Sequence, residues 1–317
     1  MTPLLLAPAR GALCLALLIA NTLFWCLLLL GVSIAKLVLP FASVRRRIDP
    51  VLNRLATAWI SCNGAILWRP GATTCEVDGL AGLHRSEWHM VISNHQSWVD
   101  ILVLQRALNQ RIPMLKFFLK QQLIYVPVIG LAWWALDFPF MRRHGKTALR
   151  RHPELRARDR EATRRACEKF ALVPTSVMTF PEGTRFTAAK HAAQASPYRH
   201  LLKPKAGSLA MALNAMGDQF RSLLDVTIVY PQGTPTFWQF LCGRCPRVVV
   251  RIRSMAISPD IRMGDYTADA SYRRRFHQWL ESAWHDKDAL ISELLSASAP
   301  QRARTGMPRA LSSASFR

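Results

Sequence analysis

The segment Val91-Ile92-Ser93-Asn94-His95-Gln96-Ser97-Trp98-Val99-Asp100 restricts the fold more than any other stretch of the chain. The apolar run from Trp88 to Ile92 breaks off in a polar turn. Apolar residues resume at Ile101-Leu102-Val103-Leu104 and continue through Ala107 and Leu108. A short apolar run bounded by turn residues reads as a buried strand, and the segment after it as a helix. Strand, turn and helix in that order put His95 on an exposed loop at a helix N-terminus, where α/β folds carry reactive side chains. The pattern recurs along the chain. Val177-Met178-Thr179-Phe180 is a strand candidate stopped by Pro181-Glu182-Gly183-Thr184-Arg185, and a helix is expected over 208–220. Asp225-Val226-Thr227-Ile228-Val229-Tyr230 ends in Pro231, and Val248 to Arg253 alternates as a strand does. A further strand is expected from Cys75. An amphipathic helix over 272–294 turns Phe276, Trp279, Leu280 and Ala283 inward. The fold class expected is α/β, a mixed sheet flanked by helices.

The N-terminal segment adds a membrane element. Residues 11–40 carry one charge, Lys36. A helix needs about 20 apolar residues to span the hydrocarbon layer, so the run can cross once with tilt. Arg45-Arg46-Arg47 follows it, against a lone Arg10 before it. The positive-inside rule then places the rest of the chain on the cytoplasmic side. A hairpin dipping into one leaflet is the alternative. The chain divides accordingly into a membrane anchor (1–45), a catalytic domain (46–295) and a basic, disordered tail (296–317). Residues 48–70 read as an amphipathic helix. The apolar stretch over 123–136 is interrupted by Pro127 and Gly130, and is either core or a surface at the membrane interface.

The formal net charge is +22, and only nine of the 42 basic residues are lysines. So basic a chain seeks nucleic acid or an anionic membrane surface, and beside an apolar anchor the membrane lipids are the expected partner rather than nucleic acid. The dense run from Arg142 to Arg165 suits that role. Seven scattered cysteines argue for a reducing compartment. Cys242-Gly243-Arg244-Cys245 has no second ligand pair nearby, so two ordinary cysteines beside a turn are expected and no metal. Arginine richness and topology together point to a bacterial inner membrane.

Two constellations carry chemistry. An imidazole becomes an effective general base when a carboxylate fixes its tautomer and stabilises the cation it forms. Within one helix, residues five apart would face about 140° away from each other. His95 and Asp100 therefore meet only if His95 lies in the turn and Asp100 in the first helical turn. The competing reading makes Ser97-Trp98-Val99-Asp100 a capping box, with Asp100 serving the helix end alone. In the second constellation, Gly183 lets a ligand approach the backbone, Thr184 offers a hydroxyl, Arg185 can clamp a phosphate, and Glu182 can pair with a basic neighbour. The sequence holds no Gly-x-Ser-x-Gly elbow and no Walker loop, which removes the footholds of serine hydrolases and nucleoside triphosphatases.

Taken in this order, Asn94-His95-x4-Asp100 and Phe180-Pro181-Glu182-Gly183-Thr184-Arg185 resemble the glycerolipid acyltransferases typified by 1-acylglycerol-3-phosphate acyltransferase. Phe138-Pro139-Phe140-Met141-Arg142-Arg143 and the strand ending at Pro231 are similar to two weaker blocks of that family, although Asp137 and Pro139 depart from it. The Lys203-Pro204-Lys205 segment leans towards its lysophospholipid and lysocardiolipin branch. The resemblance covers residues 85 to 235. It implies that His95, held by Asp100, deprotonates a glycerol hydroxyl that attacks an acyl-CoA or acyl carrier protein thioester directly. It further implies that Arg143, Glu182, Gly183, Thr184 and Arg185 hold the acceptor's phosphate, that the apolar residues 123–140 admit acyl chains, and that no cofactor or metal is required. A non-catalytic, membrane-tethered basic protein that binds lipid would fit the charge and the anchor but leave both motifs unexplained.

Overall fold

A computed structural model describes residues 2–38, 41–69, 73–141, 161, 173–217, 219–266 and 268–298. Arg143 and nearly all of the basic run after it lie outside the described residues, as does the tail beyond Ser298.

Six strands make the main sheet: β1 (Thr74–Asp78), β2 (Trp88–Ser93), β3 (Leu115–Phe117), β6 (Ser176–Thr179), β7 (Phe220–Val229) and β8 (Arg247–Met255). Their spatial order is β1-β8-β7-β2-β6-β3. β7, β2, β6 and β3 run parallel, whereas β8 is antiparallel to β7 and carries β1 parallel to itself. The sheet is mixed, as expected. A second, two-stranded sheet pairs β4 (Leu119–Lys120) with β5 (Phe140–Met141).

Among the described residues the α-helices are α1 (Thr2–Val38), α2 (Ala42–Leu67), α3 (Val99–Leu108), α4 (Ile129–Ala135), α5 (Ala188–Gln194), α6 (Gly207–Met216), α7 (Phe237–Leu241), α8 (Pro259–Arg262) and α9 (Ala270–Ser298). α6 stops short of the 220 expected for it, because β7 claims the chain from Phe220. The period of two in β2 assigns its faces. Met90 and Ile92 join Leu209, Leu213, Phe276 and Trp284 in a core under α6 and α9, while Val91 joins Val99, Val103, Leu104 and Tyr230 under α3. β2 is therefore buried on both sides, as central parallel strands are.

A third cluster lies between α1, α2 and α4, around Leu29, Leu52, Trp59, Ala132 and Leu136. α1 holds an apolar window, Leu6–Lys36, long enough by length and composition to cross a membrane. It also packs lengthwise on the folded body. Gly11 faces Trp238 and Cys242 at α7, Asn21 donates to Asn63 of α2 at 2.9 Å, and Lys36 pairs with Asp49 at 2.8 Å and with Asp137. Its opposite side, including Leu13, Phe24, Leu27 and Ile34, is exposed. The 123–136 stretch divides in the same way. Gly130, Ala132 and Ala135 are buried, whereas Tyr125 (81 % exposed), Leu131 and Trp134 face outward. Core and surface, treated above as alternatives, are two faces of one segment. Cys242 and Cys245 are free, buried thiols flanking the turn at Gly243.

Candidate active site

The carboxyl ends of three neighbouring parallel strands, β2, β6 and β7, deliver their loops to one place. His95 lies in the turn after β2 and Asp100 in the first turn of α3, so the two side chains meet, with His95 Nδ1 2.8 Å from Asp100 Oδ2. Oδ2 also accepts the backbone N–H groups of Gln96 at 2.6 Å and Ser97 at 2.9 Å. Serving the start of the helix and holding the imidazole are thus compatible tasks for one carboxylate, and the two readings of Asp100 do not exclude each other. Ser97 Oγ receives the N–H of Val99 and donates to the Pro235 carbonyl. Asp100 is fully buried, while the His95 side chain keeps 14 % exposure. A carboxylate can only accept, so Nδ1 must carry the proton, and the lone pair is left on Nε2. The Phe180 ring stacks on the imidazole at 4.0 Å between centroids, which fixes its plane.

The Phe180–Arg185 loop after β6 sits beside this pair. Gly183 has φ +68°, in the left-handed region that favours glycine, and a Cβ there would lie 3.3 Å from the Lys205 side chain. Thr184 Oγ1 accepts from Lys190 Nζ at 2.8 Å, and the same ammonium donates to the Arg185 carbonyl at 3.0 Å. Arg185 is exposed, and its guanidinium lies over the Trp98 ring, 4.7 Å from the centroid. That contact parks the cation at the mouth of the cleft without using up its donors.

Glu182 occupies a different kind of position. It has no exposed surface, and each carboxylate oxygen accepts a backbone N–H: Oε1 from His95 at 2.7 Å and Oε2 from Leu202 at 3.0 Å. It ties the second motif to the first from behind. Burial pushes its pKa up to about 7, against the two hydrogen bonds that pull it down. The tie is doubled where Phe186 N–H donates to the His95 carbonyl at 2.7 Å.

The strand β7 grips the turn from the other side. The Asn94 side-chain amide bridges both backbone groups of Ile228, at 2.8 Å each. Tyr230 donates its hydroxyl to Asp100 Oδ1 at 2.6 Å, and Thr234 donates to Gln96 Oε1 at 3.0 Å. No local spacing announces Tyr230, which lies 130 residues from its acceptor. The available signal is that a tyrosine directly follows a buried strand, where its hydroxyl must find a partner.

A cavity of about 660 Å³ opens at His95, Trp98, Gly183, Thr184 and Arg185 and runs between α1, α2, α3 and α4. Leu108, Ile112, Leu115, Phe117, Trp133 and Phe138 line its depth. Its mouth is polar and cationic and its length apolar, the form of a site for an amphiphile with an anionic head. Among the described residues, no group of three or more His, Cys, Asp or Glu side chains is arranged to hold a metal ion.

A carboxylate-held histidine thus stands beside a cationic loop at the head of an apolar cavity. Residues 74–231 match the family model described as Acyltransferase. These residues form an acyltransferase-family domain. It is 23 % identical over 233 residues to the 1-acyl-sn-glycerol-3-phosphate acyltransferase epsilon of Mus musculus, covering 67 % of this chain and 59 % of that protein. It is 24 % identical over 257 residues to lysocardiolipin acyltransferase 1 of Danio rerio, covering 76 % and 62 %. The chain thus spans about three-fifths of the length of these relatives. The crystal structure of the 1-acyl-sn-glycerophosphate (LPA) acyltransferase PlsC from Thermotoga maritima has the same fold, with a TM-score of 0.50 and 18 % identity over 92 % of this chain and 95 % of that one.

Proposed function

We propose that this protein transfers a fatty acyl group from an acyl thioester, of CoA or acyl carrier protein, to the free glycerol hydroxyl of a lysophospholipid. The acceptor put first is 1-acyl-sn-glycerol-3-phosphate, which would yield phosphatidic acid. One observation carries the reading. The free Nε2 of a carboxylate-held histidine stands at the mouth of the apolar cavity, with Arg185 beside it. The acceptor hydroxyl loses its proton to Nε2 as its oxygen attacks the thioester carbonyl. The tetrahedral intermediate then collapses, the C–S bond breaks, and the leaving thiolate takes the proton from the imidazolium. Each bond change is accounted for without a covalent acyl-enzyme. Gly183, Thr184 and Arg185 are assigned to the acceptor's phosphate, together with Arg143. Glu182 is assigned to bracing the two motif loops, since both its oxygens are already occupied by backbone donors. The apolar cavity takes the acyl chains.

The exposed faces of α1 and α4 are assigned to membrane insertion, on the cytoplasmic side of a bacterial inner membrane. The folded body follows α1 from Gly11 to Lys36. An upright crossing would drag that body into hydrocarbon, at a cost of several kcal/mol for each charged group left without a partner there. Shallow insertion of the α1–α2 hairpin into one leaflet avoids the cost.

A panel of lysophospholipids offered to purified membranes with one labelled acyl-CoA tests the head-group assignment. Arg185→Ala is expected to raise the apparent KM for phosphate-bearing acceptors about tenfold, the order of a lost charge-assisted hydrogen bond, with kcat little changed. Arg150→Ala in the basic run should do much less. Equal effects of the two would mean that charge density, and not a clamp, recruits the acceptor.

A further inference from the structure

We propose that Tyr230 is a positioning residue of the catalytic base, setting the orientation and basicity of His95 through its hydrogen bond to Asp100. The inference rests on the reading of His95 as the general base.

The division of labour at the Asp100 carboxylate carries the argument. Oδ2 serves its own turn, accepting from His95 Nδ1, Gln96 N and Ser97 N. Oδ1 accepts the Tyr230 hydroxyl at 2.6 Å, from the residue that follows β7. Asp100 and Tyr230 are both buried, at 0 % and 4 % exposure, so water does not replace the phenol as a donor. Local bonds fix where the carboxylate sits along the turn. The bond from β7 fixes its rotation, and hence the direction in which it presents Oδ2 to the imidazole.

The same hydrogen bond adjusts charge. A donor on Oδ1 draws density from the carboxylate and weakens its hold on an imidazolium at Oδ2. The phenol is well placed to remain a donor. Burial and the Asp100 charge raise its pKa well above the ordinary value, so it stays protonated through the working range. The other titratable groups around the network are known. Glu182 holds the His95 N–H from the β6 side, the Cys75 thiol of β1 and the Cys245 thiol just before β8 act on Tyr230, and Arg185 stands over Trp98. Lys287 of α9 acts on Glu182 from behind β7. None of these touches Oδ1 of Asp100, so changing the phenol alters one interaction.

The experiment is the pH profile of kcat/KM for acyl transfer in membranes. Activity requires neutral His95, so kcat/KM falls on the acid side as the imidazole protonates. Tyr230→Phe leaves the carboxylate charge less neutralised, stabilises the imidazolium, and is expected to move the acid limb up by about half a pH unit to one unit. Replacing Tyr230 alone with 3-fluorotyrosine, a more acidic donor, is expected to move the limb the other way. A role confined to packing would lower thermal stability and leave both limbs in place. Should Tyr230→Phe fail to fold, the fluorotyrosine protein decides the matter, since it changes the donor with little change in shape. Limbs unmoved, or displaced in the same direction by both changes, would overturn the inference. An inactive wild-type protein would instead overturn the reading of His95 on which it rests.

Discussion

Replacing His95 with alanine is expected to reduce acyl transfer by about a thousandfold, within the range of 10²–10⁴ that a positioned general base contributes. Membrane association should be unchanged, because α1 and the exposed side of α4 are untouched. The structure supports so clean a separation. The imidazole donates its one side-chain bond to Asp100, while the turn itself is held by the Glu182 carboxylate on His95 N–H, by Phe186 N–H on the His95 carbonyl and by the Asn94 side chain on Ile228, all of which survive the substitution. Labelled acyl-CoA incorporation and flotation with vesicles measure the two properties on one sample. Full residual activity in the alanine variant would sink the mechanism.

The second large effect is expected at a residue that need not touch substrate. Glu182→Gln keeps the shape but turns an amide NH2 towards a backbone N–H, since a carboxamide has one acceptor oxygen where the carboxylate has two. Either His95 N or Leu202 N then loses its acceptor. A displacement of the base by a fraction of an ångström to one ångström costs up to about a hundredfold in kcat, and acceptor KM should hardly move. A loss seen mainly in KM would return Glu182 to the phosphate site.

The stability of the same variant depends on pH in a direction that can be worked out. The folded pKa of Glu182 is raised to about 7 from an ordinary 4.5. The fold therefore binds the proton more tightly than the unfolded chain does. Wild-type stability from this group is fullest below about pH 4.5, declines as pH rises through 7, and is level above that. The span is roughly 3 kcal/mol at 1.36 kcal/mol per unit. Glutamine does not titrate. The melting temperature of the variant relative to wild type is thus expected to rise between pH 5 and pH 8, and a constant difference would contradict the assignment.

The legibility of this chain follows the length scale of its interactions. His95 and Asp100 are five residues apart, and a strand-turn-helix pattern sufficed to bring them together. The Phe180–Arg185 loop was legible as a turn with a glycine, a hydroxyl and a cation, and the positive φ of Gly183 is what such a turn demands. The hydrogen bonds of Glu182 were not legible, because its partners are backbone groups 87 and 20 residues away, and a backbone N–H leaves no mark in the sequence. Tyr230 escaped because its acceptor, the Asp100 carboxylate, lies 130 residues away. The helices α1 and α2 were visible as apolar and amphipathic periodicities. Their packing along the domain, set by Asn21, Asn63, Lys36 and Asp137, depends on single polar side chains that periodicity does not register.

The parallel pairing of β2 with β7 has a consequence for biosynthesis. The His95 turn leaves the ribosome early, yet Ile228, Tyr230, Thr234 and Pro235, which clamp it, follow more than 130 residues later. Contacts of such separation form late, after the loop-closure entropy of the intervening chain has been overcome. The His95 imidazole and Asp100 can lie side by side as soon as α3 has formed, yet the pair takes its working position only once the chain has closed over it and Tyr230 reaches the second carboxylate oxygen.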